Sequence, residues 1–310
     1  MNNLKKVGLT ALAGSLVAST AYAGTLDVTG SAGVKYQSRS GSSGTSSVQG
    51  NPWSDSNGIT FSGSGDLDNG MTVGYSYTMS DAAFSTSNVT LDMGDNGKLA
   101  FGHDSAHGGI DTIKDKMPTA GEEVWDDIGT GDDAGVTDVG ADPSLYYSIN
   151  VSGITASASY SRTGLGTDNS VAIVASELAE GVEVGIGMGT NAISNTSEDD
   201  LTTAYAKYST GAFTVGVQLS SIEKTAANSD INREAAAISF AVNENLSVSY
   251  GLSNVEYDAS AKVDAESSGI SASYTMGGIT LGAVSNKTDA FGGTAGSEKE
   301  FTEVSLKFAF

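Results

Sequence analysis

Apolar and polar residues alternate along this chain one by one. Leu26, Val28, Gly30, Ala32, Val34 and Tyr36 take every second position, and Asp27, Thr29, Ser31, Gly33, Lys35 and Gln37 stand between them. Successive side chains of a strand point to opposite faces, so the stretch predicts a strand with one apolar and one polar wall. The pattern returns at Met71, Val73, Tyr75, Tyr77 and Met79, and over residues 154–160, 182–188, 213–219, 246–252 and 270–276. Helical spacing is scarce; its best candidate, residues 171–178, also fits a strand.

The connections between these runs differ in length. Seven are tight and rich in Gly, Asn or Asp, near residues 66–70, 94–97, 150–153, 178–181, 209–211, 242–245 and 276–278. Such residues tolerate the positive φ of hairpin turns. Eight are polar and mostly longer, near 38–57, 80–87, 103–144, 162–170, 190–200, 220–233, 253–268 and 286–300. Fifteen connections join about sixteen strands, with short turns at one end and long loops at the other, which is the layout of an all-β, antiparallel up-and-down barrel.

The apolar face repeatedly ends in an aromatic: Tyr36, Tyr75, Tyr77, Tyr147, Tyr160, Tyr250 and Tyr274. Aromatics at strand ends on the apolar side form the interfacial girdles of membrane barrels. A soluble sandwich would instead bury that face in a shared core. A parallel β-helix would need a short fixed repeat, and no constant period is present. The predicted fold is therefore a transmembrane barrel with short periplasmic turns and long external loops. At about sixteen strands its interior is too wide for side chains to fill and holds water.

Composition narrows the address. With no cysteine among 310 residues, disulfide scaffolds, thiolate metal sites and cysteine nucleophiles drop out. A net charge of −22 speaks against nucleic acid as a partner, because phosphate contacts need Lys and Arg. Lys5 and Lys6, the apolar or small run 7–20 and Ala21-Tyr22-Ala23 match the three regions of a secretory signal. The run is short for a bilayer span, which needs about 20 apolar residues. The expected division is a signal peptide at 1–23 and a barrel at 24–310, in the outer membrane of a Gram-negative cell.

In the final strand Val304, Leu306, Phe308 and Phe310 alternate strictly. It looks like the terminal strand through which the barrel-assembly machinery recognises its clients for insertion. The chain as a whole resembles the sixteen-stranded general porins, particularly the alphaproteobacterial type. The resemblance rests on the first strand TLDVTGSAGVKYQ, the hairpin GITFSGSGDLDNGMTVGYSYTM, an oversized third loop and the ending EVSLKFAF. It implies a homotrimer of channels in outer-membrane lipid, each narrowed by the third long loop folding inward.

That loop, residues 104–143, carries Asp104, Asp111, Asp115, Glu122, Glu123, Asp126, Asp127, Asp132, Asp133, Asp138 and Asp142 against only Lys114 and Lys116. Folded into the lumen, it would set a negative field at the narrowest point, and low-dielectric walls would focus that field in favour of cations. Crowded carboxylates also raise one another's pKa. The bland alternative is an external loop whose acids keep the surface soluble.

Porins of this kind usually place arginines opposite the acidic loop. Here the basic residues expected in the lumen are sparse: Lys35, Lys98, Lys207 and Lys307 by alternation, with Arg39 and Arg162 near loop ends. The expectation is therefore a broadly acidic pore. The run 126–133 could collect Ca²⁺, yet it lacks the ordered spacing of an EF-hand loop, and loose counterion binding is the better reading. His103 and His107 have no third ligand in register and no nucleophile nearby, which leaves no metal or catalytic site to propose. Gly30, Ala32, Gly63 and Gly65 on the apolar face of the first two strands suit a subunit contact, or a thin lipid-facing stretch.

These features predict a non-enzymatic porin for small hydrophilic solutes and ions, with a preference for cations. The competing readings are a substrate-specific channel, which would line its lumen with aromatics, and a structural or adhesive barrel without an open pore. Tyr146 is one of few lumen-phase aromatics.

Overall fold

The computed structural model describes residues 26–41, 51–81, 83–103, 108–126, 128, 135–137, 139 and 143–310, so the expected signal segment lies outside the described residues. Sixteen strands among them form one closed antiparallel barrel. They are β1 (Asp27–Ser40), β2 (Trp53–Asp66), β3 (Thr72–Ser80), β4 (Ala83–Asp92), β5 (Lys98–His103), β6 (Ser144–Val151), β7 (Ile154–Arg162) and β8 (Thr167–Ala179). The second half comprises β9 (Val182–Ser194), β10 (Ser197–Thr210), β11 (Phe213–Glu223), β12 (Ile231–Ala241), β13 (Leu246–Tyr257), β14 (Ala265–Met276), β15 (Ile279–Asp289) and β16 (Glu298–Ala309). Each strand pairs with its sequence neighbours, and β1 pairs with β16 to complete the ring. Closure satisfies every strand edge, a condition that hydrocarbon imposes.

Local chemistry explains the turns. Between β6 and β7, Ser152 and Gly153 both have positive φ, 51° and 79°, as a two-residue type I′ hairpin requires. Three connections expected among the longer ones prove short: 81–82 joins β3 to β4, 163–166 joins β7 to β8, and 195–196 joins β9 to β10. Polarity is a poor guide to where pairing stops, because the ladder uses backbone groups. Glu198, Asp199 and Asp200 remain paired with β9 although all three are acidic. The ambiguous run 171–178 is strand, inside β8.

Seen from outside, the barrel is greasy. Val217, Leu219 and Ile270 are 54%, 57% and 59% exposed, which a chain living in water would not tolerate around its circumference. Aromatic pairs mark both rims: Tyr36 and Trp53 at the loop end, 5.2 Å apart, and Phe213 and Phe240 at the turn end, 4.5 Å apart. The inner wall is lined with hydroxyls that bond across strands, such as Thr60 to Thr78 at 2.9 Å and Ser249 to Ser271 at 2.6 Å.

At the closing seam, Gly30 and Phe310 exchange both backbone hydrogen bonds, at 2.7 and 2.9 Å. The Phe310 ring fills the space where a Gly30 side chain would stand, so the smallness of Gly30 already serves a contact within the chain. Inside the same seam, Lys35 Nζ lies 3.1 Å from Glu303. Val304, Leu306 and Phe308 occupy the outward phase of β16, and Phe310, just past its end, is the most exposed of the four.

Of the five buried apolar clusters among the described residues, one lies within the wall itself, formed by Ile231, Val255 and Ala265 of β12, β13 and β14. The other four join residues of the segment between β5 and β6 to inward side chains of the wall. The described residues of this segment, the third long loop, lie against the inner wall.

Candidate functional site

Between β5 and β6 the described loop residues run round the inner wall in order. Gly108 approaches Tyr146 of β6. Ile110 N–H then donates to Ser170 Oγ of β8 at 3.0 Å. Gln218 of β11, fully buried, accepts from Lys116 N–H at 3.1 Å and donates to the carbonyls of Ile113 and Lys114 at 2.9 and 2.8 Å. Further on, Ala120 N–H donates to Ser249 Oγ of β13 at 2.9 Å, and Asn286 Nδ2 of β15 donates to Glu123 O at 3.0 Å. Ile128 packs with Val284 and Phe301 of β15 and β16. The return leg brings Val136 and Val139 to Leu201 of β10 and Ile222 of β11.

The loop meets the wall by two means. Its backbone groups, unpaired because the segment is irregular, find serine, glutamine and asparagine side chains aimed inward. Its apolar side chains Ile110, Ile113, Val124 and Ile128 are buried to 6% exposure or less. Burial of that kind contributes about 1.5–3 kcal/mol for each large side chain.

Arg233 of β12 is the centre of the arrangement. It is 1% exposed, and its guanidinium carbon sits 4.0 Å from the ring centroid of Trp125. Gly135 lies against the same guanidinium. Sequence alternation does not single this arginine out, because its neighbours Asn232 and Glu234 are also polar and face outward near the rim. Its phase with Ile231 and Ala235 was the available signal.

The loop carboxylates divide by surroundings. Asp111 Oδ1 accepts from Val139 N–H at 3.0 Å, tying the two legs together. Asp126 Oδ2 accepts from Glu123 N–H at 3.0 Å. Burial, then the hydrogen bond and charge of Asp126, pushes the Glu123 carboxyl up to about 8. Asp115 is exposed and Glu122 half-buried. Asp127, Asp132 and Asp133, with Asp104, Asp138 and Asp142, lie outside the described residues. So does most of the run considered for Ca²⁺; among the described residues no group of three or more His, Cys, Asp or Glu is placed to hold a metal ion.

The expected lumenal cations separate as well. Lys35 faces inward against Glu303, and Lys207 sits 2.9 Å from Glu183. Lys307 is inward and exposed, paired in register with Gly33. Arg162 is different. It shares the phase of Tyr160, not that of the buried Ser161, and stands exposed on the outer side of the rim. Its place at the loop end, where both faces are polar, hides the phase. Lys116 of the loop joins Lys207 over the Tyr205 ring, at 6.0 and 5.6 Å. Burial first, and then the charge of Lys207, draws Lys116 below the ordinary lysine value. His103 points outward, edge-on to Phe84 at 5.2 Å, and His107 lies outside the described residues.

The wall of β1 to β3 borders an open space of about 760 Å³, with Thr29, Ser31, Ser56, Thr60, Thr78 and Ser80 on it. That side of the lumen is mostly hydroxylated, with Asp81 as the charged residue bordering the space, and the other side is covered by the loop.

A family model described as Gram-negative porin matches residues 8–307. No curated protein matches the sequence. Among solved structures, a porin refined at 1.8 Å resolution is 18% identical with a TM-score of 0.67, covering 92% of this chain and 100% of its own. A triple mutant of the Rh. blastica porin reaches a TM-score of 0.69 at 14% identity over 92% and 100% of the two chains. An anion-selective porin from Comamonas acidovorans gives 0.66 at 16% identity, covering 92% and 99%. At these identities the structural likeness establishes the fold, which these porins share with the present barrel.

Proposed function

Because the chain belongs to the Gram-negative porin family, as a multi-pass β-barrel of the outer membrane, we propose that it lets small hydrophilic solutes and ions diffuse passively through its lumen, with cations preferred. Residues 104–143 act in this reading as the constriction loop of a barrel spanning 24–310, after a signal at 1–23. One observation carries it: a loop bearing Asp111, Asp115, Glu122 and Asp126 against Lys114 and Lys116 is packed on the inner wall, with a largely hydroxylated open space beside β1 to β3. Carboxylates beside a confined water path raise the local concentration of cations. Asp127, Asp132 and Asp133 add to the same sign.

The anion-selective Comamonas acidovorans porin shares the barrel. Fold therefore does not set the sign of selectivity, and the charges of this lumen have to. The partners we propose are outer-membrane lipid around the apolar band, the barrel-assembly machinery at the C-terminal strand, and two further copies in a homotrimer. Ca²⁺ enters only as a loose counterion of the loop.

The sign is read from the zero-current potential across a planar bilayer holding the protein in a KCl gradient. Cation preference predicts a potential displaced towards the potassium equilibrium value, with a smaller displacement as salt screens the loop. A displacement towards the chloride value would refute it.

A further inference from the structure

Four glycines of the wall face inward under the loop: Gly187 and Gly189 in β9, Gly216 in β11 and Gly251 in β13. A glycine inside a strand weakens it, losing side-chain packing and gaining unfolded-state entropy. Most other inward positions of these strands carry a side chain, such as Glu183, Gln218, Ser220, Ile222 and Ser249. Glycine at these sites therefore needs a reason.

The reason is occupancy. A Cβ on Gly187 would meet Ile113 Cδ1 at 2.9 Å, and one on Gly189 would meet Ser170 Cβ of β8 at 2.7 Å and Val139 Cγ2 at 3.0 Å. At Gly216 the neighbour is Pro118 Cδ at 2.7 Å, and at Gly251 it is Val124 Cγ1 at 2.7 Å. At Gly187, Gly216 and Gly251 an apolar loop side chain is the nearest occupant of the volume that the missing Cβ would take, and at Gly189 Val139 shares that volume with Ser170. Carbon atoms rest about 3.5–4.0 Å apart, so a methyl at Gly251 or Gly216 would push the loop off by roughly 1 Å.

We infer that Gly187, Gly189, Gly216 and Gly251 are positioning residues for permeation: sockets that receive Ile113, Val139, Pro118 and Val124 and thereby fix how far the loop reaches into the lumen. The inference rests on the porin reading and deepens it. Both legs of the loop are held, the outgoing one at three sockets and the returning one at Gly189. The bore is thus set from the wall as much as from the loop, by residues that carry no charge and touch no solute. Close-packed interiors do not deform continuously, so a filled socket displaces the loop and does not merely compress it.

The test exchanges knob and socket. Gly251→Ala should shift the unit conductance and the size cutoff for neutral sugars in liposome swelling. Val124→Ala added to it removes the Cγ atoms that collide with the new methyl, and should return both values to those of the parent. Gly187→Ala with Ile113→Val repeats the design, since valine lacks Cδ1. It serves if the first variant does not form a heat-modifiable barrel. Either single wall variant conducting like the parent from a folded barrel would overturn the inference, as would failure of the paired trim to restore it, in each case leaving the porin reading intact. Absence of conductance from the parent protein itself would remove the porin reading, and the inference with it.

Discussion

Replacing Trp125 with alanine should release the loop without opening the barrel. Trp125 is 4% exposed and packs with Met117, Val124 and Ala235, while its ring covers the buried Arg233 guanidinium at 4.0 Å. Truncating a buried tryptophan costs about 3–5 kcal/mol, of which a desolvated cation–π contact supplies about 2 kcal/mol. At roughly tenfold per 1.4 kcal/mol, the ratio of docked to undocked loop should fall by about two to three and a half orders of magnitude. Trp125 takes no part in the ladder that closes β1 on β16, so the barrel should keep its heat-modifiable electrophoretic mobility. Single-channel recording is the assay. The parent should give quiet steps, and Trp125→Ala should fluctuate among levels as the loop leaves and returns. Trp53→Ala is the control, since Trp53 stands on the outer face, 57% exposed. A quiet Trp125→Ala trace at parental conductance, from a folded barrel, would refute the reasoning.

Two further outcomes are expected. Glu123 keeps its proton up to about 8 in the folded loop, against an ordinary value of 4.5, so the folded state binds a proton that the free segment has lost between those values. Docking is then fully favoured below the ordinary value and weakens as pH rises through about 8. Current noise should grow from pH 6 to pH 9 in the parent and stay flat in Glu123→Gln; an equal rise in both would contradict this. At the closing seam, Lys35→Met removes the ammonium 3.1 Å from Glu303, which is 2% exposed and still accepts from Gln37 Nε2 at 2.8 Å. That should cost the barrel about 1.5–3 kcal/mol, the worth of a hydrogen bond to a charged group, seen as a lower temperature for loss of the folded band. An unchanged transition would show that water replaces the lysine.

Strand phase was legible wherever one face is greasy. The alternation from Leu26 to Tyr36 places Lys35 inside and Tyr36 outside, as observed. Near the loop-side rim both faces are polar, and there the pattern loses its meaning. That is why Arg162 turns out instead of in, why Arg233 carried no flag, and why the β3–β4 and β9–β10 connections shrink to two residues. The sockets were illegible for another reason. A glycine at 251 and a valine at 124 acquire meaning only once the ring has brought β13 under the loop. The lysine pair over Tyr205 is likewise a product of closure, since Lys116 and Lys207 sit far apart in the chain and meet inside it.

Permeation requires a lumen that stays open to water beside the docked loop. The most direct measurement is the current through a planar bilayer as purified protein is added at fixed voltage. Discrete upward steps of uniform size, linear in voltage near zero, are the predicted result. A folded, membrane-inserted barrel that gives no steps would contradict the claim, because it would mean that the loop and wall seal the interior.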